Sequence, residues 1–240
     1  MKSLLILTQY KRNNLERQLE SIYNQTYIPD YIVVFQNEQH ININNLKEKY
    51  KFIHIYNDYN TKYFGRFAVC FNFPVDICII LDDDIIPGRN CIKNYINECY
   101  NLNGIIGGNG RMAYNTTNPY NAPNQYAPFP ECGIRPETTL VDFVGHVWCF
   151  KKDWLYYMFS IKPFTYDTGE DIHLCYSCKC RGNINTYICK HLTSDDDCDI
   201  TSNGLSCDRF SSYLTTSTSL RKNIEDYFIE KFNLEIIKSI

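Results

Sequence analysis

The sequence predicts an α/β fold: a doubly wound sheet of mainly parallel strands, flanked by helices, in a single domain. Two observations point there. Through the first half of the chain, short apolar runs alternate with segments whose apolar residues recur at helical spacing, the pattern of strands joined by crossover helices. And 240 residues, 44% hydrophobic and 21% charged, have the balance of an ordinary globular chain and the length for one sizeable core.

Taken in order, "SLLILTQY" reads as the first strand and the polar "KRNN" as the turn behind it. "NLERQLESIYNQT" sets Leu15, Leu19, Ile22 and Tyr23 at helical spacing. "PDYIVVFQNE" is a second strand introduced by Pro29, "NLKEKYK" a short helix, and "FIHIYND" a third strand. "GRFAVCFNF" reads as a helix or helical turn, and "VDICIILDDD" as a fourth strand buried on both faces. "RNCIKNYINECYNL" gives a helix and "GIIGGNGRMAY" a strand broken by glycines. From Asn115 to Pro136 the chain is rich in Asn, Pro and Tyr without a period, a long loop of the kind that closes over a substrate. Regular structure resumes in "TLVDFVGHVWCFKKDWLYYM" and "GEDIHLCYSCKC". The last segment places Leu220, Ile224, Tyr227, Phe228 and Phe232 on one helical face that packs on the core or serves a dimer.

Composition excludes several classes. A net charge of −3 and a pI near 6.0, with no basic stripe, argue against nucleic acid as a partner. The apolar run at the N-terminus, Leu4 to Leu7, is too short for a secretory signal, and no stretch approaches the ~20 apolar residues of a spanning helix. The expectation is a soluble, cytoplasmic protein, in which the "NTT" sequon at Asn115 has no meaning. Twelve cysteines then read as reduced thiols, although six of them fall at 175, 178, 180, 189, 198 and 207, where a zinc site is an alternative. The spacing lacks two clean C-x-x-C pairs.

The stretch that asks for a function is "DICIILDDDIIPG", a buried strand that runs into Asp82, Asp83 and Asp84. Ligands of doubly wound sheets bind beyond the carboxyl ends of the strands, where these acids lie. Alternation along an extended strand would converge Asp82 and Asp84 and turn Asp83 away. Two converging carboxylates repel unless a cation lies between them, and hard divalent ions such as Mg2+ or Mn2+ take oxygen ligands while leaving positions for phosphates.

With these residues in view, the chain resembles a nucleotide-sugar-dependent glycosyltransferase of the GT-A fold, close to the large family-2 type. The resemblance rests on "ILTQYKRNNLERQLESIYNQTYIPDYIVVFQNE", on "LDDDI" as the Asp-x-Asp motif, on "FVGHVWCFKKDWL", on "TGEDIHL" as the Glu-Asp motif and on "CKHLTS", and covers roughly residues 1–195. It implies a GT-A (Rossmann-like) mixed, mainly parallel sheet over 1–240: a nucleotide-sugar-binding half at 1–110, an acceptor and catalytic half at 111–195, and a C-terminal tail at 196–240. It also implies a hexosyl- or related transferase moving sugar from a nucleoside-diphosphate sugar, a UDP-sugar by preference, to a glycan, protein or small-molecule acceptor.

On that resemblance Asp82, Asp84 and His191 are the metal ligands for Mn2+ or Mg2+, Asp171 the general base of an inverting displacement, and Glu170 a hydrogen-bonding partner of a sugar. Thr8, Gln9, Tyr10, Arg12, Gln36, Asn57, Arg66 and Asp83 are the expected donor-binding residues. The family's aspartate at the end of the second strand is replaced here by Gln36, Asn37 and Glu38, which leaves the base open. Gly145 and Trp148 would floor the acceptor site, Trp148 by stacking on a sugar face. Two other classes remain: a sugar nucleotidyltransferase, for which "TQYKRNN" lacks the glycine-rich loop, and a non-enzymatic sugar- or partner-binding module held by zinc.

Overall fold

The computed structural model describes residues 1–111, 136–196, 198–199 and 218–236. The loop expected from Asn115 to Pro136 lies almost wholly outside them. In chain order the elements are β1 (Ser3–Gln9), α1 (Leu15–Tyr23), β2 (Tyr31–Asn37), α2 (Asn44–Lys49), β3 (Ile53–Asn57), α3 (Gly65–Ala68), β4 (Ile77–Leu81), β5 (Ile86–Pro87), α4 (Cys91–Leu102), β6 (Ile105–Arg111), β7 (Thr139–Val141), β8 (Phe143–Lys151), α5 (Leu155–Ser160), α6 (Glu170–Gly182), β9 (Thr186–Ile188), β10 (Cys198–Asp199) and α7 (Thr218–Phe232).

One sheet runs through both halves in the order β3-β2-β1-β4-β8-β6-β9-β7. The strands β3, β2, β1 and β4 are parallel, β8 is antiparallel to both β4 and β6, β9 is parallel to β6, and β7 closes the edge antiparallel. Helices flank this mixed sheet in a single domain. The two central strands are the most apolar: Leu4 to Leu7 of β1 and Ile77 to Leu81 of β4 are fully buried, as strands covered by helices on both faces must be.

The chain leaves β1 for β2 on one side and reaches β4 on the other, so the order reverses at β1. That switch point opens a crevice beyond the carboxyl ends of β1 and β4, and the Leu7–Leu81 register sets Gln9–Arg12 beside Asp82–Asp84. The strand expected to be broken by glycines is continuous in β6, with a register irregularity between Gly107 and Asn109. Gly107 is there because β8 comes close: a Cβ at that position would lie 2.2 Å from Val144 Cβ. The C-terminal helix turns Ile224 and Phe228 of its apolar face into this chain's own core, with Leu220, Tyr227 and Phe232 half-buried.

Candidate active site

Three aspartates sit together because the strand stops before them. β4 ends at Leu81, and Ile85 N–H donates to Asp82 O at 3.2 Å to close a turn over Asp82–Asp84. The strand alternation expected for these residues therefore does not apply. The turn is clamped from behind: the Gln18 amide of α1 donates to Asp82 O at 2.7 Å and to Ile85 O at 2.9 Å, and Asn14 Nδ2 donates to Asp83 O at 3.2 Å. From the other side Asp82 N–H donates to His146 O at 3.0 Å, and Thr8 Oγ1 donates to Leu81 O at 3.0 Å. Main-chain groups are tied to the scaffold and the carboxylates are left to the crevice.

Arginines meet those carboxylates. Arg12 reaches Asp83 at 2.5 Å and Asp84 at 3.6 Å, so Asp83 is not turned away but shares a guanidinium with its neighbour. Arg66, buried beneath the site, pairs with Asp82 and, at 2.5 Å, with Glu170 at the start of α6. It thereby links the donor-side turn to the Glu-Asp pair across 104 residues of sequence. Burial would depress the Arg66 guanidinium, but the flanking Asp82 and Glu170 outweigh it and hold it above its ordinary value. Asp171 pairs with Arg221 of α7.

Among the described residues, five carboxylates thus face three guanidiniums. Burial shows in the proton affinities of three of them. Burial pushes Asp84 well above the usual carboxylate range, reinforced by Asp82 and Asp83, and pushes Asp83 up against the pull of Arg12. Burial also raises Glu170 to about 7 in spite of Arg66. Asp84 Oδ1 is a buried oxygen without a hydrogen-bond partner among the described residues. An acid-rich turn with an orphaned carboxylate oxygen fits a divalent cation held by oxygen.

His191 does not join that turn. It is buried, with its ring stacked on Tyr95 of α4 at 5.9 Å, and among the described residues no three His, Cys, Asp or Glu side chains form a metal-binding group. Of the late cysteines, Cys175, Cys178 and Cys189 are buried and Cys180 is half-buried; burial raises Cys175 to about 12 and also raises Cys178, which donates to Trp154 O. Neutral thiols of this kind are structural.

The donor-side residues divide in two. Thr8, Gln9, Tyr10 and Arg12 all stand at the carboxyl end of β1, with Gln9 Nε2 donating to Tyr10 O at 2.9 Å to shape the loop, and Tyr10 edge-on to His40 at 4.6 Å. Gln36 points the other way. It is 2% exposed, its Nε2 donates to Ile41 O at 2.9 Å and its Oε1 meets His54 Nε2 at 3.1 Å, so its amide serves the scaffold. Asn57 Nδ2 donates to Thr61 Oγ1 at 3.3 Å and orders the loop leading to Arg66.

Trp148 does not floor an open site. It is 1% exposed, its Nε1 donates to Val144 O at 2.8 Å, the Arg66 guanidinium lies 4.5 Å from its ring centre, and Phe67 packs edge-on at 5.7 Å. The ring supports Arg66 from below and has no face left for a sugar. Gly145 borders Asp171: a Cβ there would lie 4.0 Å from Asp171 Oδ2, with no nearer contact among the described residues. Sequence reading missed Gln18 and Asn14, which look like ordinary helix polars, and Arg221, whose distance of 50 residues from Asp171 carries no local signal.

An acid-bearing turn at the switch point of a 3-2-1-4 half-sheet, faced by a Glu-Asp pair opening a helix from the antiparallel half, defines a Rossmann-like GT-A fold. Among solved structures, S. aureus TarS is similar with a TM-score of 0.54 and 13% identity, over 80% of this chain and 37% of that one. The structure of S. aureus TarS 1-349 is similar with a TM-score of 0.55 and 13% identity, over 79% of this chain and 60% of that one. The chain therefore spans less than two thirds of either, and at such identity the likeness is one of fold. No protein-family model and no curated protein matches the sequence.

Proposed function

We propose that this chain is a glycosyltransferase that moves a sugar from a nucleoside-diphosphate sugar, a UDP-sugar by preference, to an acceptor hydroxyl with Mn2+ or Mg2+ bound. The observation that carries the reading is the meeting of Asp82–Asp84 with Glu170 and Asp171 at the switch point, five acids against three arginines among the described residues.

Asp82 and Asp84 would hold the cation. When bound, it neutralises the charge that develops on the departing diphosphate. Arg12, already between Asp83 and Asp84, holds the turn together. Glu170 is fixed by Arg66 and orients the sugar side of the crevice. Asp171 takes the proton from the attacking hydroxyl: its Oδ1 accepts from Ile172 N–H at 2.9 Å, its Oδ2 pairs with Arg221, and the remaining lone pairs are open to an acceptor. Gly145 leaves the acceptor room to approach. Direct displacement of this kind inverts the anomeric centre.

The reading is tested by thermal shift with a panel of nucleoside diphosphates and nucleotide sugars, each with and without Mn2+. Stabilisation of a few kcal/mol by one diphosphate, only with Mn2+ present, supports it and names the base. A protein that responds to none of them is not a nucleotide-sugar enzyme. Asp171→Asn should bind the same diphosphate yet lose turnover; unchanged turnover removes Asp171 as the base.

A further inference from the structure

We propose that α7 is a working part of the catalytic centre and that Arg221 is the positioning residue of Asp171, a role that rests on Asp171 being the base. α7 is seated on the first turn of α6 by close packing. Ile224 fills the space beside Gly169, where a Cβ would meet Ile224 Cδ1 at 2.2 Å, and Gly169 itself has φ +75°, a left-handed conformation that favours glycine. One turn on, buried Phe228 packs edge-on against His173 at 5.4 Å and Tyr176 at 5.6 Å, and Tyr227 Oη donates to Lys162 O at 3.2 Å. These contacts leave α7 little freedom relative to Glu170 and Asp171.

From this seat Arg221 extends to Asp171, pairing through Nη2 with Oδ2, while its Nη1 lies 3.4 Å from Thr168 Oγ1. Both side chains are largely out of water, at 14% and 12% exposure, so the pair is little screened and the fork geometry of the guanidinium sets the plane of the carboxylate. Ile172 N–H takes the other oxygen. Asp171 is thus held by a fixed donor on each oxygen, and its Oδ2 would lie 4.0 Å from a Cβ at Gly145, the nearest contact there among the described residues. Among the described residues, Arg66 pairs with Asp82 and Glu170, Arg12 with Asp83 and Asp84, and Arg221 with Asp171, the base. A proton acceptor misplaced by one rotamer loses much of the advantage of a positioned base.

The test follows release of UDP from UDP-glucose, UDP-galactose and UDP-N-acetylglucosamine, each with Mn2+ and with water as acceptor, alongside binding of UDP and Mn2+. Arg221→Met should lower kcat by ~10- to 100-fold with KM and UDP binding unchanged. Adding it to Asp171→Asn should cost nothing more, because the two act as one unit. Millimolar guanidinium should restore Arg221→Ala. Where Met destabilises the helix, Arg221→Lys, which keeps the charge and loses the fork, should fall between. Full activity in Arg221→Met beside an inactive Asp171→Asn overturns the role and leaves the base standing. So do losses that multiply in the double variant without rescue by guanidinium, the mark of a structural ion pair. Full activity in Asp171→Asn removes the base, and Arg221's role with it. A wild-type chain that releases UDP from none of the three overturns the donor reading instead.

Discussion

At the scale of single residues, the site is a problem of charge, and Asp84 shows it best. Its carboxylate is buried, crowded by Asp82 and Asp83, shares Arg12 with Asp83, and has one oxygen unbonded among the described residues. A group held this way adds nothing to the stability of the metal-free fold. Replacing it by alanine removes a repelled carboxylate and leaves Arg12 its 2.5 Å partner Asp83. Asp84→Ala should therefore melt within a few degrees of wild type while losing Mn2+-dependent binding of nucleoside diphosphate and all turnover. Calorimetry with and without Mn2+ checks both halves, and retained Mn2+-dependent turnover would sink the metal assignment. The acids could be read in the sequence because they stand together, "DDD" and "GED". Their arginine partners could be named only as candidates, since Arg66 meets Glu170 across 104 residues and Arg221 meets Asp171 across 50. Trp148 was misplaced for a related reason: composition marks an aromatic ring as a platform but does not say that a guanidinium already lies on it.

At the scale of elements, periodicity carried most of the fold. β1, β2, β3 and β4 fall where apolar runs end in polar turns, and α1, α4 and α7 where apolar residues recur at helical spacing. What periodicity cannot show is the polar side of a helix at work. Gln18 lies at helical spacing from Asn14 and reads as an ordinary polar residue, yet it is fully buried and donates to Asp82 O and Ile85 O. Short pairings such as β5 with β10 and the three-residue β9 were equally unreadable, because so few residues carry no period. The clamp makes a prediction about α1. Gln18→Leu keeps the volume but takes the side-chain donor from Ile85 O and leaves Asp82 O with the Ile85 N–H, at a cost of about 1–3 kcal/mol. For a chain of this size that is a fall in Tm of roughly 2–4 °C per kcal/mol. Because the carbonyls belong to the aspartate turn, Mn2+ affinity should weaken as well. A variant that melts early but binds Mn2+ as wild type does would show that α1 supports the fold and not the site.

At the scale of the molecule, the surplus of buried acid ties stability to pH through groups beyond the aspartate turn. Burial raises Glu225 of α7 from the ordinary 4.5 to about 7, with Asp142 and Asp226 adding to it and Lys222 and Arg221 opposing; one of its oxygens is buried without a hydrogen-bond partner among the described residues. Its folded state takes up protons more readily than its unfolded state, so its contribution is fully present below pH 4.5 and is lost as pH rises through about 7. Burial holds His54 and His173 below their ordinary 6.5, which works in the opposite sense: their contribution is present above that value and is lost as pH falls. An absolute stability profile would mix the two. The difference between Glu225→Gln and wild type isolates the acid, since the histidines cancel. Glutamine keeps the shape and cannot ionise, so the variant should match wild type near pH 4.5 and be the more stable at pH 8. The gap should reach at most about 3 kcal/mol, because a tenfold difference in proton affinity between the folded and unfolded chain is worth ~1.4 kcal/mol. Urea titrations at the two pH values measure it. A difference that does not grow with pH would mean that Glu225 is satisfied in the folded chain, and that α7 is seated by packing alone, without the strain of a buried acid one turn beyond Arg221.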